Sequence, residues 1–308
     1  MIWLSWRQFR GPAVTGATVL AVFAAGMLVL GLQMRHASSV PDYQSLVYAT
    51  DAVLLAGPAL LGLFWGAPLI ARELESGTAA LAWNQSVSRR RWLAVKLAVL
   101  AAAGLVTGGL AALLLSWAAA PLDRINQDRF TALLFGTRGI VPAAYAIFAV
   151  LLGATLGLLV RRTLAAMALT AAVFLAVQVL MPNLVRPHLE PPRAMAAPVT
   201  AAVVRKLSFL GREPTISGLK IPGAWVISNS DLRTADGRRV AQERYSACVG
   251  GSFDTMPDCL GALRLHVDIA YQPADRYWAF QRLESALYLA LAGLLALIAA
   301  FRVTRVTG

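Results

Sequence analysis

Six long apolar stretches dominate the pattern of hydrophobic and polar residues along the chain. A helix that crosses the hydrocarbon core of a bilayer needs about 20 mostly apolar residues. Six stretches meet this requirement, at residues 13–33, 50–71, 94–118, 140–160, 163–181 and 284–301. The pattern therefore predicts an all-α polytopic membrane protein with six transmembrane helices. Only Arg161 and Arg162 separate the fourth helix from the fifth, which predicts a tight helical hairpin.

The composition supports a membrane protein and argues against binding of nucleic acid. Of the 308 residues, 58% are hydrophobic and 14% are charged, whereas soluble domains carry about 25% charged residues. The net charge of +12 lies largely beside the apolar runs, without the basic and aromatic stripe of a nucleic-acid surface. The first apolar run is longer than the core of a typical signal peptide, so we expect the first helix to be retained.

The distribution of Lys and Arg predicts the orientation, because short cytoplasmic loops carry the excess of positive charge. One side holds eleven such residues, namely Arg7, Arg10, Arg72, Arg89, Arg90, Arg91, Lys96, Arg161, Arg162, Arg302 and Arg305. The other side holds four, namely Arg35, Arg124, Arg129 and Arg138. We therefore predict that both termini are cytoplasmic and that the long segment 182–283 lies outside.

The segment 182–283 is predicted to be a small α+β extracytoplasmic domain. A helix is expected within 195–210, strands at 224–227 and 239–245 with a turn at 235–237 between them, and a strand at 263–269, where apolar residues alternate. A disordered loop is the alternative. Cys248 and Cys259 lie in this segment, and an oxidising compartment favours a structural disulfide between them. Two cysteines are too few for a four-ligand zinc site.

Residues 1–12 carry the pattern of a short amphipathic helix. Trp3, Trp6 and Phe9 group on one side and Arg7 on another, which suits a helix lying flat on the inner leaflet. We expect Gly11–Pro12 to break this helix before the first span. A plain membrane anchor is the alternative. The predicted organisation is thus an interfacial helix (1–12), five spans (13–181), the outer domain (182–283), and the sixth span with a cytoplasmic tail (284–308).

The loop between the second and third spans is unusual because carboxylates follow the second span directly. Glu73 and Glu75 would face the negative inner leaflet, which is unfavourable, so a protein partner would explain them. Thr78 to Trp83 is a candidate short helix. A solvated loop without a partner is the alternative interpretation.

The motifs of common catalytic and nucleotide sites are missing. The sequence contains no G-x-x-x-x-G-K-[ST], no H-E-x-x-H and no G-x-S-x-G. The predicted spans have almost no charges, and an interhelical hydrogen bond is the simplest role for Gln178. We therefore expect no cofactor or metal in this chain and no enzymatic activity, and any energy for transport should come from elsewhere.

Taken together, these features resemble the permease subunits of ABC exporters of the second type. The stretch Ala71–Thr78 looks like the R-E-x-E-x-G-T segment of that family, and Ser86–Arg89 looks like its P-V-S-R entry to the third span. The stretches at 3–8 and 271–281 look like permeases of high-GC Gram-positive (actinobacterial) bacteria. Many relatives have short outer loops, whereas this chain has a long one before the sixth span.

The resemblance implies that the protein lies in a bacterial cell membrane. There it would form a pair with an identical or homologous permease, and the pair would dock on two cytoplasmic ATPase subunits, which would hold ATP and Mg²⁺. It implies a short coupling helix between spans two and three. The implied ATPase-coupling residues are Glu73, Leu74, Glu75, Gly77, Thr78, Leu81 and Trp83. Glu73 and Glu75 would be the polar anchors and Gly77 would permit the turn between the helices, whereas Leu74, Leu81 and Trp83 would make apolar contacts or pack toward the membrane. Because spans two and five line the dimer interface in the family, it also implies candidates for the translocation path, namely Phe64, Trp65, Phe174 and Gln178. A path with so few charges suits a lipophilic or amphipathic cargo, such as a drug, an antibiotic or a lipid-like molecule.

Two other function classes compete with a transporter. The first is a membrane-anchored sensor or immunity protein whose outer domain binds a ligand or a protein. The second is a membrane enzyme, for which Asp254, Asp258, His266 and Asp268 are the nearest candidates, although they have no recognised catalytic spacing.

Overall fold

The computed structural model describes residues 2–79, 88–205, 209–210, 213–217, 221–250, 252 and 254–304, and only the backbone of residues 2–9, 12, 209–210 and 216–217. The α-helices are α1 (Ile2–His36), α2 (Gln44–Leu61), α3 (Ala67–Glu75), α4 (Arg89–Asn126), α5 (Ala132–Phe135), α6 (Val141–Val160), α7 (Thr163–Leu180), α8 (Ala201–Val204), α9 (Gln242–Val249), α10 (Met256–Ala262) and α11 (Tyr277–Val303). The strands are β1 (Arg193–Pro198), β2 (Phe209–Leu210), β3 (Ile216–Ser217), β4 (Trp225–Asn229) and β5 (His266–Gln272).

Six helical segments of the described chain are long and apolar enough to cross a membrane, which confirms the predicted number of spans. They are Ala13–His36, Pro41–Glu75, Arg89–Asn126, Val141–Val160, Thr163–His188 and Ala274–Val303. Most are longer than the apolar runs, because each helix continues through polar residues at its ends. The chain divides into two compact units. The first comprises residues 1–126, 131–189 and 278–308 and contains the six spans except for residues 274–277 of the last one.

The first helix differs from its prediction. It runs without interruption from Ile2 to His36, so the expected break at Gly11–Pro12 is absent. A spanning helix tolerates Gly and Pro, because other groups can satisfy the backbone bond that is lost. The side chains of Trp3, Trp6, Arg7 and Phe9 lie outside the described part of the chain, so their interfacial role stays a prediction.

The second and fourth spans approach each other closely through glycines. The second span contains a π-helical turn at Gly62–Gly66, which divides α2 from α3. A side chain at Gly66 would collide with the carbonyl of Val150, and one at Gly157 would come within 2.7 Å of the carbonyl oxygen of Ala67. Small residues let two backbones meet in this way inside a membrane. The fourth span is consequently the most enclosed of the six, because 72% of its most apolar stretch is buried inside the protein.

Two buried ion-pair clusters tie the loop and helix ends to the bundle. Arg138 bonds Asp51 and also donates from Nε to Oδ2 of Asp123 at 3.0 Å. Burial lowers the pKa of Arg138, but the two carboxylates outweigh this effect and the pKa is raised overall. In the second cluster, Arg186 donates to both oxygens of Glu284, at 2.7 and 2.9 Å.

These clusters correct the expectation that the spans carry almost no charge. Asp51, Asp123, Arg186 and Glu284 all lie within the observed spans, and each faces an opposite charge. Asp123 and Arg186 lay outside spans that were predicted too short, whereas Asp51 and Glu284 stood at the starts of their predicted spans and their partners were not recognised. Arg186 was also assigned to the outer segment, whereas it belongs to the unit with the spans.

The second unit comprises residues 127–130 and 190–277, so its boundaries differ from the expected 182–283. Among its described residues, a three-stranded antiparallel sheet has the order β1–β5–β4, with Arg193 opposite Tyr271 and Trp225 opposite Gln272. The unit is α+β, as predicted. The sequence assignments failed at two places. Residues 195–198 belong to β1, although the rest of the expected helix at 195–210 does contain the short helix α8, and residues 242–245 begin helix α9 where a strand at 239–245 was expected.

The core of this second unit is apolar and contains a disulfide. Val267 and Ile269 of β5 are buried, in line with the alternation seen in the sequence, and they cluster with Leu232 and Tyr245. Cys248 of α9 and Cys259 of α10 are joined by a disulfide, with their Cα atoms 5.5 Å apart. The disulfide therefore fastens two short helices of this unit to each other.

We predict that Gly153→Ala destabilises the protein by about 1–3 kcal/mol, the usual cost of overpacking. The new methyl group would collide with the carbonyl of Gly62 and come within 2.7 Å of the backbone nitrogen of Ala67. Thermal unfolding in detergent measures the loss. Gly109→Ala is the matched control, because its methyl group would meet only Ala143 at 3.9 Å. Equal midpoints for the two variants would contradict the close packing of these spans.

Candidate functional site

The end of the second span forms a structured turn. α3 ends at Glu75, and Gly77 follows with φ +72°, a conformation that glycine adopts without strain. The hydroxyl of Ser76 donates to the carbonyl of Arg72 at 2.8 Å and lies 2.9 Å from the hydroxyl of Thr78. The predicted role of Gly77 in permitting a turn agrees with this backbone geometry.

Glu73 makes an ion pair inside the chain. Its Oε1 lies 2.7 Å from Nζ of Lys96 in α4, and its Oε2 accepts a bond of 3.2 Å from the indole of Trp92. Trp92 and Lys96 are four residues apart and therefore lie on one face of α4. Both oxygens of the carboxylate are thus bound to the third span.

Lys96 is among the most buried charges of the described chain, with 1% of its surface exposed. Besides Glu73, its ammonium donates to the carbonyl of Leu69 at 3.0 Å and lies 4.8 Å from the ring centroid of Trp92. These contacts occupy an ammonium group that would otherwise be costly to bury.

Glu75 binds the start of the fifth span. Its Oε2 accepts bonds from the backbone N–H of Thr163 at 2.9 Å and from the hydroxyl of Thr163 at 2.6 Å. A carboxylate at the first turn of α7 also interacts favourably with the helix dipole. The two glutamates therefore connect the same short segment to two different spans.

This arrangement changes the interpretation of the two glutamates. The sequence suggested that they contact another protein, whereas both carboxylates bond within the chain. Leu74 is half-buried, and Gly77 and Thr78 are exposed. Leu81 and Trp83 lie outside the described residues, so their predicted contacts stay predictions.

Lys96 was missed as a site residue because it was counted as a loop charge. Its position four residues after Trp92, seven residues into a long apolar helix, was the available signal. Arg138 was counted in the same way and is also buried. Removing both residues from the count leaves the positive excess on the same side.

The residues proposed for the translocation path fall into different environments. Phe64 is 57% exposed, whereas its neighbour Trp65 is 9% exposed. Phe174 is 1% exposed and packs against Phe148, with the ring centroids 6.2 Å apart. Gln178 accepts a bond of 3.1 Å from the hydroxyl of Tyr288, the interhelical contact that was its alternative role. Phe174 is therefore packed within the chain, and Phe64 alone of the four is well exposed.

An apolar groove runs beside Trp65, between the first four spans. Its volume is about 240 Å³. The walls include Gly16 and Phe23 of the first span, Pro58 and Trp65 of the second, and Ala111 of the third. Its polar lining residue Thr107 already donates its hydroxyl to the carbonyl of Ala103 at 2.7 Å. The groove therefore presents apolar surface and suits a hydrocarbon or aromatic group.

The described residues contain no group of three or more His, Cys, Asp or Glu side chains that could hold a metal ion. Asp258 bonds Arg205 at 2.7 Å and Asp268 pairs with Arg233 at 3.3 Å, both on the surface of the second unit. These exposed pairs resemble ordinary surface ion pairs.

Comparison with known proteins assigns the family. The family model described as ABC-2 membrane transporter related matches residues 17–186, which cover the first five spans except for their outermost residues and include the turn at Glu73–Thr78. No curated protein and no solved structure matches the chain. Because the matched segment is more than half of the chain, the protein belongs to the ABC-2 membrane transporter related family and is a multi-pass permease subunit of an ABC transporter.

Proposed function

We propose that this permease exports a lipophilic or amphipathic cargo with energy from a separate cytoplasmic ATPase. Two ATPase copies would serve a pair of permeases, identical or homologous. The observation that carries the proposal is the double attachment of the segment at Glu73–Glu75, because a segment fixed to two spans can transmit a push from outside the chain. Family membership supports the ATPase as the source of that push.

The proposed cycle uses the segment as a mechanical link. ATP binding closes the ATPase subunits and presses on the loop between the second and third spans. Glu73 passes the displacement to the third span and Glu75 passes it to the fifth. The cargo cavity would then switch from inward to outward access, in a bacterial cell membrane with both termini cytoplasmic.

The proposed cargo follows from the chemistry of the apolar groove. Its described lining residues carry no charge, and their polar groups are few: the hydroxyl of Thr107, which already donates to the carbonyl of Ala103, and the indole of Trp65. A hydrophilic solute would lose its hydration there without compensation. A lipophilic molecule has no hydrogen bonds to water to give up, and it would gain apolar contact with the walls of the groove.

A sensor or immunity protein remains the second candidate, favoured by the second unit. All of this unit except residues 127–130 lies beyond the matched segment, and the unit has its own apolar core and a disulfide. Such a domain suits the binding of a ligand or a protein outside the cell. ATP-dependent movement of cargo by the purified complex would decide between the two functions.

A first test concerns topology. We predict that a cysteine at Ser76 is not labelled by a membrane-impermeant maleimide in intact cells and is labelled after permeabilisation. Background should be low, since the described residues include no free cysteine. Asp236→Cys, at an exposed position of the second unit, is the matched control and should react in intact cells. Labelling of Ser76→Cys from outside would refute the coupling role.

A second test concerns coupling. We predict that Glu73→Ala combined with Glu75→Ala lowers the stability of the permease by about 3–5 kcal/mol, because Lys96 loses its counter-charge, but leaves a protein that co-purifies with the ATPase and has lost cargo-stimulated ATP hydrolysis. The reason is that both attachments to the spans are removed. Asp42→Ala, which removes an exposed carboxylate elsewhere, should keep normal stimulation. Normal stimulation in the double variant would refute the assignment.

A third test concerns the cargo. We predict that lipophilic dyes stimulate ATP hydrolysis by the complex, that glucose and glycine do not, and that Ala111→Phe reduces the stimulation several-fold by filling the groove. Leu113→Phe, on the exposed side of the same helix, should have little effect. Stimulation by the hydrophilic solutes alone would overturn the lipophilic assignment.

A further inference from the structure

We propose that Lys96 is the positioning residue that makes the third span move together with α3. The proposal rests on the proposed coupling function and names the residue through which one branch of the motion passes. Lys96 lies inside α4, is almost fully buried, and contacts α3 through two separate groups.

Lys96 makes two bonds to α3. Lys96 binds the backbone carbonyl of Leu69 at 3.0 Å and the side chain of Glu73 at 2.7 Å. Both bonds end on the same ammonium nitrogen, which therefore holds α3 by its main chain at Leu69 and by its side chain at Glu73. Because the indole of Trp92 holds the other carboxylate oxygen of Glu73, α3 is attached to two points of α4, which resists both rotation and sliding.

Trp92 closes the arrangement from the same face of α4. Its indole N–H donates to the second oxygen of Glu73 at 3.2 Å, and its ring lies beside the ammonium of Lys96. The carboxylate is therefore oriented from two sides. Because Trp92 is itself 2% exposed, these bonds are shielded from water and gain strength from the low local dielectric.

A π-helical turn separates α3, the helix that Lys96 binds, from the rest of the second span. The π-helical turn at Gly62–Gly66 interrupts the α-helical bonding just before Ala67, where α3 begins. A π turn inside an α-helix often marks a functional position. A displacement of α3 can therefore differ from that of α2, and the third span follows α3 through Lys96.

The connection to the fifth span is chemically independent of Lys96. It consists of the two bonds from Thr163 to Glu75 and includes no atom of α4. Loss of Lys96 should therefore uncouple the third span and leave the fifth span coupled. A residue needed only for folding would affect both spans.

The experiment uses the permease co-purified with its ATPase in proteoliposomes, trapped with ATP and orthovanadate. Single cysteine reporters are placed at Ile125, near the end of the third span, and at Val179, near the end of the fifth, both exposed. We measure the rate of labelling by a fluorescent maleimide with and without trapping. In the otherwise unsubstituted complex, trapping should change both rates several-fold.

Lys96→Met should abolish the change at Ile125→Cys and keep the change at Val179→Cys. Glu75→Ala should do the reverse. If Lys96→Met fails to assemble because Glu73 is left buried without its partner, Lys96→Met combined with Glu73→Gln removes both charges and should give the same pattern. Lys96→Arg, which keeps the charge, should restore at least part of the change at Ile125→Cys.

An unaltered response at Ile125→Cys in an assembled Lys96→Met complex would overturn the inference and leave the proposed function standing. Loss of both responses in either Lys96 variant would also overturn it, since the residue would then support the fold as a whole. Absence of any response in the unsubstituted complex would count against the proposed function itself, and the inference would fall with it.

Discussion

The fold of the spans depends on the close backbone contact between the second and fourth helices. Apolar surface gains little by leaving lipid, so helices in a bilayer associate through close packing and polar contacts. Here Gly62, Gly66, Gly153 and Gly157 remove the side chains that would separate the two backbones. The fourth span can then lie at the centre of the bundle, and the positions of the helices around it follow from that contact.

Buried charges fasten the ends of the helices that surround this centre. Arg138 joins the second and third spans at one end, Arg186 joins the fifth and sixth, and Lys96 joins the second and third through α3. Removal of one partner from such a buried pair costs about 3–5 kcal/mol, because a charge is left without compensation. The pairs therefore select which helix ends are neighbours, and they do so in segments whose apolar faces are otherwise interchangeable.

Features that depend on local composition could be predicted from the sequence. Features that depend on contacts between distant residues could not. Six apolar runs predicted six spans, because hydropathy is a local property, and the alternation at Val267 and Ile269 predicted β5 for the same reason. Prediction failed for Lys96 and Arg186, which looked like loop charges until the partners Glu73 and Glu284 were found on distant segments. The helix at 242–249 was not predicted, because a short polar segment carries no clear hydrophobic period. This helix is also held by a disulfide to Cys259, which lies outside the segment. For the candidate site, the motif located the turn correctly, but the direction of its two glutamates required three-dimensional contacts.

The contrast between polar and apolar contacts suggests how a single chain can both transmit force and change shape. α3 is joined to the third and fifth spans by directional bonds of 2.6–3.0 Å, which resist displacement. The groove between the first four spans is lined by apolar groups, whose contacts depend only weakly on direction. Helices can slide or separate there without breaking hydrogen bonds between side chains. Under the proposed function, a push at the turn of Glu73 and Glu75 would pass through these bonds and produce movement at the groove, which is the proposed site of the cargo.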